Sequence, residues 1–231
     1  MAAVLALILM ATSQPETRPR EQRVDSSVRS ALSAYVFLLR DPHFHGLVFI
    51  GAFGISSFFA YLANSSFILI DHYGLTPRQY SIAFAANAAS FIGVAQFTGR
   101  LSARFGLVPV VKVAVTAYAL VMTALLLVNL IGIERLDVML VMLFVGFGFL
   151  GLVIPTTTVL ALEEHGTIAG TASALMGTLQ FVTGAAVMAV TGLFVDGTAR
   201  PMVAGIAACA LLAWFISWLT LRSARMRGAQ V

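Results

Sequence analysis

Six uninterrupted apolar runs, each about as long as a membrane-crossing helix, constrain this chain more than any other feature. They extend over roughly Phe44–Ile70, Gln79–Thr98, Val108–Ile131, Val138–Ala161, Thr167–Phe194 and Met202–Leu221. About 20 apolar residues carry an α-helix across a hydrocarbon core ~30 Å thick. A helix also satisfies every backbone N–H and C=O within its own segment, as lipid requires. The runs are continuous and show no period-two alternation, so strands are not expected. Composition leads to the same place: 59% of residues are hydrophobic, only 10% are charged, and the mean hydropathy is +0.93. A soluble domain carries about 25% charged residues, so this chain has too little polar surface to coat a water-facing globule. The expected fold class is an all-α integral membrane domain, with six transmembrane helices over 44–222.

The segments outside the six runs complete the organisation. Met1–Thr12 is apolar but too short to span and has no basic flank, so 1–12 reads as the tail of a preceding transmembrane helix. Residues 13–43 read as a cytoplasmic linker, and 223–231 as a cytoplasmic tail. Within the linker, Val28, Leu32, Tyr35, Val36 and Leu39 fall on one helical face, opposite Arg29, Ser30, Ser33 and Arg40. Such a helix lies along the membrane surface; Asp41-Pro42 ends it.

Arginine sets the orientation. Arg18, Arg20, Arg23, Arg29 and Arg40 precede the first run, Arg100, Arg104 and Lys112 follow the second, and Arg222, Arg225 and Arg227 follow the last. The intervening loops hold one each, Arg78, Arg135 and Arg200. The positive-inside rule then puts both ends of the six-helix unit in the cytoplasm. Glu163-Glu164-His165 brings no basic residue to its loop, but acidic residues count little in that rule. The net charge of +4 is thus a topology signal spread between apolar runs, and no nucleic-acid partner is expected. The single cysteine, Cys209, allows neither a disulfide framework nor a thiol metal site. His43, His45, His72 and His165 all stand at membrane edges, so no metal and no cofactor are expected. No Ser, His and Asp converge in a motif and there is no phosphate loop, so an enzyme is not expected.

The centres of all six runs are free of charge, because a charge there costs roughly 2.5–3.5 kcal/mol. No membrane-embedded carboxylate is therefore present to carry a proton. Neutral polar residues instead form stripes: Ser57, Tyr61 and Asn64 on the first run; Tyr80, Phe84, Asn87 and Phe91 on the second; Ser173, Gly177, Gln180 and Gly184 on the fifth. Two readings stand for Tyr61, Asn64, Asn87 and Gln180, namely hydrogen bonds between helices or the wall of a substrate cavity. Phe58, Phe84 and Phe181 border these stripes and join them as cavity candidates. Gly166, Gly170 and Ala174, at four-residue steps, suit close helix approach. Gly148, Gly151 and Pro155, with Gly146 nearby, mark either a bend that gates or close packing, and Thr156, Thr157 and Thr158 stand ready to satisfy freed backbone.

The block Gly170-Thr171-Ala172-Ser173-Ala174-Leu175-Met176-Gly177-Thr178-Leu179-Gln180-Phe181 resembles the most distinctive block of the Bcr/CflA drug-resistance group of the major facilitator superfamily. Glu16-Thr17, the run from Tyr61 to Phe67, Tyr73-Gly74-Leu75-Thr76-Pro77, and Asp196-Gly197 through Pro201-Met202 match it too. The chain departs at Ser66, where the group often has proline, and at Thr156, where it often has asparagine. The superfamily's loop pattern survives in Gly99, Leu101, Arg104 and Gly106, with Ala103 in place of an acidic residue. The resemblance covers nearly the whole chain as the C-terminal half of such a transporter. It implies proton-coupled antiport of drug-like small molecules out of the bacterial cytoplasm, across the inner membrane. The implied partners are the lipid bilayer, protons and an N-terminal six-helix half that this chain lacks, in which the group's titrating carboxylates usually lie. Two other readings remain open on the residues alone, a non-transporting membrane subunit or scaffold and an uptake permease of the same fold. The orientation is directly testable: cysteines placed at Ser27 and Gln230 should react with an impermeant maleimide only from the cytoplasmic side, and one at Thr198 only from the other. Cytoplasmic labelling of Thr198 would reverse the topology.

Overall fold

The computed structural model describes residues 28–227, with side chains from 30 to 222. The expected preceding helix at 1–12, the first part of the linker and the last four residues of the tail lie outside the described residues. The elements are α1 (Val28–Leu39), α2 (Pro42–Ser66) continued by a π-helical segment (Phe67–His72), α3 (Pro77–Ala95), α4 (Thr98–Phe105), α5 (Leu107–Leu130), α6 (Leu136–Glu163), a 3₁₀ turn (Gly166–Ile168), α7 (Ala169–Gly192) and α8 (Arg200–Arg227). Six of these helices are long and apolar enough to cross a membrane, so the fold is the six-helix membrane domain expected.

Local chemistry sets the helix starts. Asp41 caps α2 by accepting from the backbone N–H of His43, with Pro42 in the first turn. Thr76 and Gln79 form a reciprocal capping box ahead of α3, with Pro77 following the cap. Gly106, at φ +83°, turns α4 directly into α5, a conformation that a side chain would strain.

The helices pair in a pattern with internal two-fold logic. Helix α2 packs on α8 and α7, and α6 packs on α5 and α3; α5 meets α8, and α2 meets α6. Exchanging α2 with α6, α3 with α7 and α5 with α8 reproduces every one of these pairings. The unit is therefore two three-helix repeats, and an odd number of spans makes the second inverted relative to the first. The inner four spans are 44–61% buried in their most apolar stretches, whereas α3 and α7 are only 11% and 17% buried. Those two flank the bundle with their outer faces uncovered.

Between apolar helices in lipid there is no hydrophobic drive to associate, so close backbone approach carries the packing. Each of the four symmetry-related interfaces has a glycine notch. A Cβ on Gly46 would strike Thr220 (α2 on α8), and one on Gly146 would strike Met122 (α6 on α5). One on Gly151 would strike the Phe91 backbone carbonyl (α6 on α3), and one on Gly184 the Phe59 ring (α7 on α2). By contrast, no atom lies within 4 Å of a Cβ built on Gly166 or Gly170. The expected close-approach stripe therefore faces outward, because α7 turns Leu175, Met176 and Gly184 to the bundle instead.

Histidine–carboxylate contacts and one ion pair fasten the two ends. At the end that carries α1 and the α6–α7 turn, His165 Nε2 lies 3.2 Å from Asp41 and His43 Nε2 lies 3.6 Å from Glu164. At the other end, His72 and Arg200 both reach Glu134, at 3.6 and 3.2 Å. Helix α1 rests on α7 and α2 through buried Leu38, while Leu32, Val36 and Leu39 stay exposed, an apolar face left open as a surface-lying helix needs.

The notches separate glycines that sequence spacing treats alike. Gly151→Ala should destabilise the purified chain by about 1–3 kcal/mol, since a backbone carbonyl cannot swing aside. Gly177→Ala, with open space around it, should be neutral or stabilising by up to about 1 kcal/mol from helix propensity. Thermal unfolding in detergent distinguishes them; equal effects at the two positions would contradict the notch assignment.

Candidate functional site

The polar candidates fall into two groups, on either side of α2. On one side, Asn87 Nδ2 of α3 donates to the Tyr61 hydroxyl of α2 across 3.0 Å, with both side chains buried. The Tyr61 ring stacks on Phe84 and meets the edge of Phe147, and Phe147 in turn meets the edge of Phe58. Phe58 also stacks on Phe91 of α3, and Ser65 and Tyr80 share a hydrogen bond of 3.2 Å. Tyr61, Asn87, Phe58 and Phe84 thus form one aromatic cluster with a hydrogen bond at its heart. Phe147 completes it, and sequence reasoning missed this residue because a phenylalanine in a wholly apolar run carries no polar signal.

One turn beyond Tyr61, Asn64 is half-buried and spends one amide hydrogen on the Ala60 carbonyl. It lines a cavity of about 500 Å³ with Phe67, Asp71, His72, Thr198 and Met202. Asp71, on the π-helical segment that frames this cavity, carries no hydrogen bond or ion pair among the described residues. Nearby Asp196 is held below the usual carboxylate range by the hydroxyl and backbone N–H of Thr198, so it stays ionised. A second cavity, about 660 Å³, opens between α3 and α6, with Asn87 at its base and Tyr73, Gln79, Leu140 and Phe144 around it. Burial, and secondarily the Glu134 carboxylate, push the Tyr73 phenol up, which keeps that rim position neutral.

On the other side, Gln180 of α7 reaches over Gly51 of α2. A Cβ at Gly51 would lie 3.1 Å from Gln180 Nε2 and 3.2 Å from Thr157 Oγ1 of α6. Three helices meet at this notch, and an added Cβ would crowd the amide and the Thr157 hydroxyl, which would have to give by a few tenths of an ångström. Thr157 directs its hydroxyl to the Val153 and Ile154 carbonyls, while half-buried Gln180 makes no hydrogen bond among the described residues. Phe181, next in sequence, is 69% exposed and stacks on Phe59. Gly51 and Thr157 joined no stripe in the sequence, since they matter through tertiary proximity alone.

The gate candidates sit within an unbroken helix. Helix α6 runs through Pro155, with Gly148 against Ser90 and Gly151 against the Phe91 backbone. Ser90 also donates to the Phe144 carbonyl of α6 across 2.7 Å. Thr156, Thr157 and Thr158 bond the carbonyls of residues 152–154, not that of Gly151, the partner that Pro155 lacks an N–H to reach. Among the described residues, no group of three or more His, Cys, Asp and Glu side chains is placed to hold a metal ion.

Comparison with known proteins gives a consistent result. The family model described as Major Facilitator Superfamily matches residues 1–188. An "Uncharacterized MFS-type transporter YdgK" of Bacillus subtilis (strain 168) is 31% identical over 198 residues, covering 86% of this chain and 49% of that protein. A "Bicyclomycin resistance protein homolog" of Haemophilus influenzae is 25% identical, covering 99% of this chain and 57% of that protein. The chain therefore spans about half the length of the curated relatives it matches.

Proposed function

This chain belongs to the Major Facilitator Superfamily, and from that premise we propose that it forms the C-terminal six-helix half of a proton-coupled exporter of drug-like small molecules. The observation that carries this reading is the pair of uncovered faces on α3 and α7. On α3 the exposed positions include Ala85, Ala86, Ala89 and Gly93; on α7 they include Gly170, Ser173 and Ala174, with Gly177 beside them. A Cβ on Gly93, Gly170 or Gly177 would meet nothing within 4 Å. Stripes of small residues let another helix approach closely, and the two stripes are equivalents under the internal two-fold. Their occupant in this proposal is an N-terminal six-helix half, and the space enclosed between the halves is the transport path.

Within that path, Gln180 presents an unpaired amide and Asn64 a free carbonyl oxygen, the sparse polar anchors that suit a largely apolar drug site. Phe58, Phe84 and Phe181 supply aromatic wall, while Tyr61 and Asn87 hold α2 to α3 behind it. Gly148 and Gly151 act first in the close packing of α6 on α3, and Pro155 lies within the same unbroken helix. All described carboxylates stand at or near helix ends, so the proton-carrying group of this scheme belongs to the other half. Outward transport of a drug is supported by the name of the Haemophilus relative, a bicyclomycin resistance protein homolog.

The test joins the first six-helix half of a relative ahead of this chain in drug-sensitive bacteria. Alanine is then substituted at Gln180, Asn64, Tyr61 and Asn87, and resistance to several drugs is compared with protein level. Gln180→Ala and Asn64→Ala should change which drugs are tolerated at normal protein level. Tyr61→Ala and Asn87→Ala should lower protein level, the lost hydrogen bond alone accounting for about 0.6 kcal/mol. Resistance that falls only in step with protein would remove all four from the cavity. Cells made more drug-sensitive by the intact fusion would favour an uptake permease.

A further inference from the structure

We propose that the groove between α5 and α8, at the end of the bundle that carries α1, is a binding site for the phosphate headgroup of an anionic phospholipid. Its lining is Lys112 and Thr116 from α5, and Trp214, Ser217, Trp218 and Arg222 from α8, around a cavity of about 260 Å³. The inference rests on membrane embedding and not on the direction of transport or its substrate.

Charge is the first argument. Lys112 and Arg222 bring two positive charges to one groove, and neither pairs with a carboxylate among the described residues. The Lys112 ammonium donates to the Leu221 carbonyl, at 3.3 Å, which fixes its position and leaves two of its three N–H groups for a ligand. The Arg222 guanidinium lies over the Trp218 ring, 5.1 Å from its centroid, with its donor edge left for a phosphate oxygen.

The hydroxyls are the second and independent argument. Ser217 is only 2% exposed, yet its hydroxyl makes no hydrogen bond among the described residues. Thr116 faces it from α5, half-buried and likewise without a partner. Both line the same groove as the two cations, so their hydroxyls are free to meet a ligand there. Serine and threonine in a membrane helix usually bond back to the carbonyl four residues before, as Thr156, Thr178 and Thr183 do here. Ser217 and Thr116 do not.

Depth identifies the ligand as a lipid. Arg222 stands at the end of the span, Trp218 one turn inside it and Trp214 two turns inside, about 12 Å along the helix. Lys112 is one turn into α5 from the same end, with Thr116 one turn deeper. The groove thus runs from cations at headgroup level to exposed indole rings at acyl level, on the two spans that the internal symmetry makes equivalent. Basic pockets between membrane helices suit anionic headgroups, and tryptophan suits the interface beneath them.

The chain has only two tryptophans, and both line this groove, so its own fluorescence reports the site without any label. The whole chain is reconstituted in phosphatidylcholine vesicles holding a few per cent of either brominated phosphatidylglycerol or brominated phosphatidylcholine. Preferential binding predicts quenching by the brominated phosphatidylglycerol at a mole fraction about tenfold lower than by the zwitterionic lipid. Lys112→Gln with Arg222→Gln should abolish that difference, and Lys112→Arg with Arg222→Lys should keep it. Inorganic phosphate at millimolar concentration should leave the difference intact. Equal quenching of the unaltered chain by the two lipids would overturn the proposal, with no variant needed. Loss of the difference with inorganic phosphate would overturn its lipid part, and a difference that survives the double glutamine variant would place the lipid elsewhere.

Discussion

Close packing at glycine notches is the interaction on which the rest of this structure depends. In lipid, each helix already satisfies its own backbone and gains nothing by hiding apolar side chains from apolar tails. What remains is dispersion between surfaces that fit, which falls away within an ångström of separation. Gly46, Gly146, Gly151 and Gly184 let side-chain and backbone atoms of a neighbouring helix reach that distance at two pairs of equivalent interfaces. The two-fold pairing of three-helix repeats follows, since each repeat offers the other the same kind of contact. A few buried polar contacts add direction: Ser57 with Tyr118 between α2 and α5, and Asn87 with Tyr61 between α2 and α3.

The same geometry decides what is left open. Four inner spans consume their good packing faces on one another, and α3 and α7 each consume only one. Their remaining faces carry small residues and an occasional polar one, where the outward side of α5 shows Val113, Leu120 and Leu127. Gln180, on α7, and Asn64, on α2, are half-buried and make no hydrogen bond to another helix among the described residues. In the proposed reading these two edges are where a second six-helix half would pack.

Much of this fold was legible in the sequence. The first span, read as Phe44–Ile70, is observed as Pro42–His72, and the fourth, read as Val138–Ala161, as Leu136–Glu163. Those boundaries rest on hydrophobic length and on caps such as Asp41 and Thr76, which act locally. The roles of individual polar residues were far less legible. Tyr61 and Asn64 stand on one stripe, yet the first is sealed under Phe84 and Phe147 while the second borders a cavity. Gly151 and Gly177 likewise differ only in what another helix brings near them. Lys112 reads in sequence as one more topology charge, and its meeting with Ser217 and Arg222 in one groove is purely tertiary. Periodicity reports which face of a helix is apolar, but not which neighbour that face will meet.

The central claim is that the outer faces of α3 and α7 are mating surfaces for a second six-helix unit. Carbene footprinting tests it most directly, applied to the chain alone and to the chain joined behind a first six-helix half, both in the same lipid. The account predicts that labelling falls severalfold at Ala86, Ala89 and Gly93 and at Gly170, Ala174 and Gly177, while Val113, Leu120 and Phe215 stay labelled as before. Protection of α5 and α8 with α3 and α7 unchanged would contradict it.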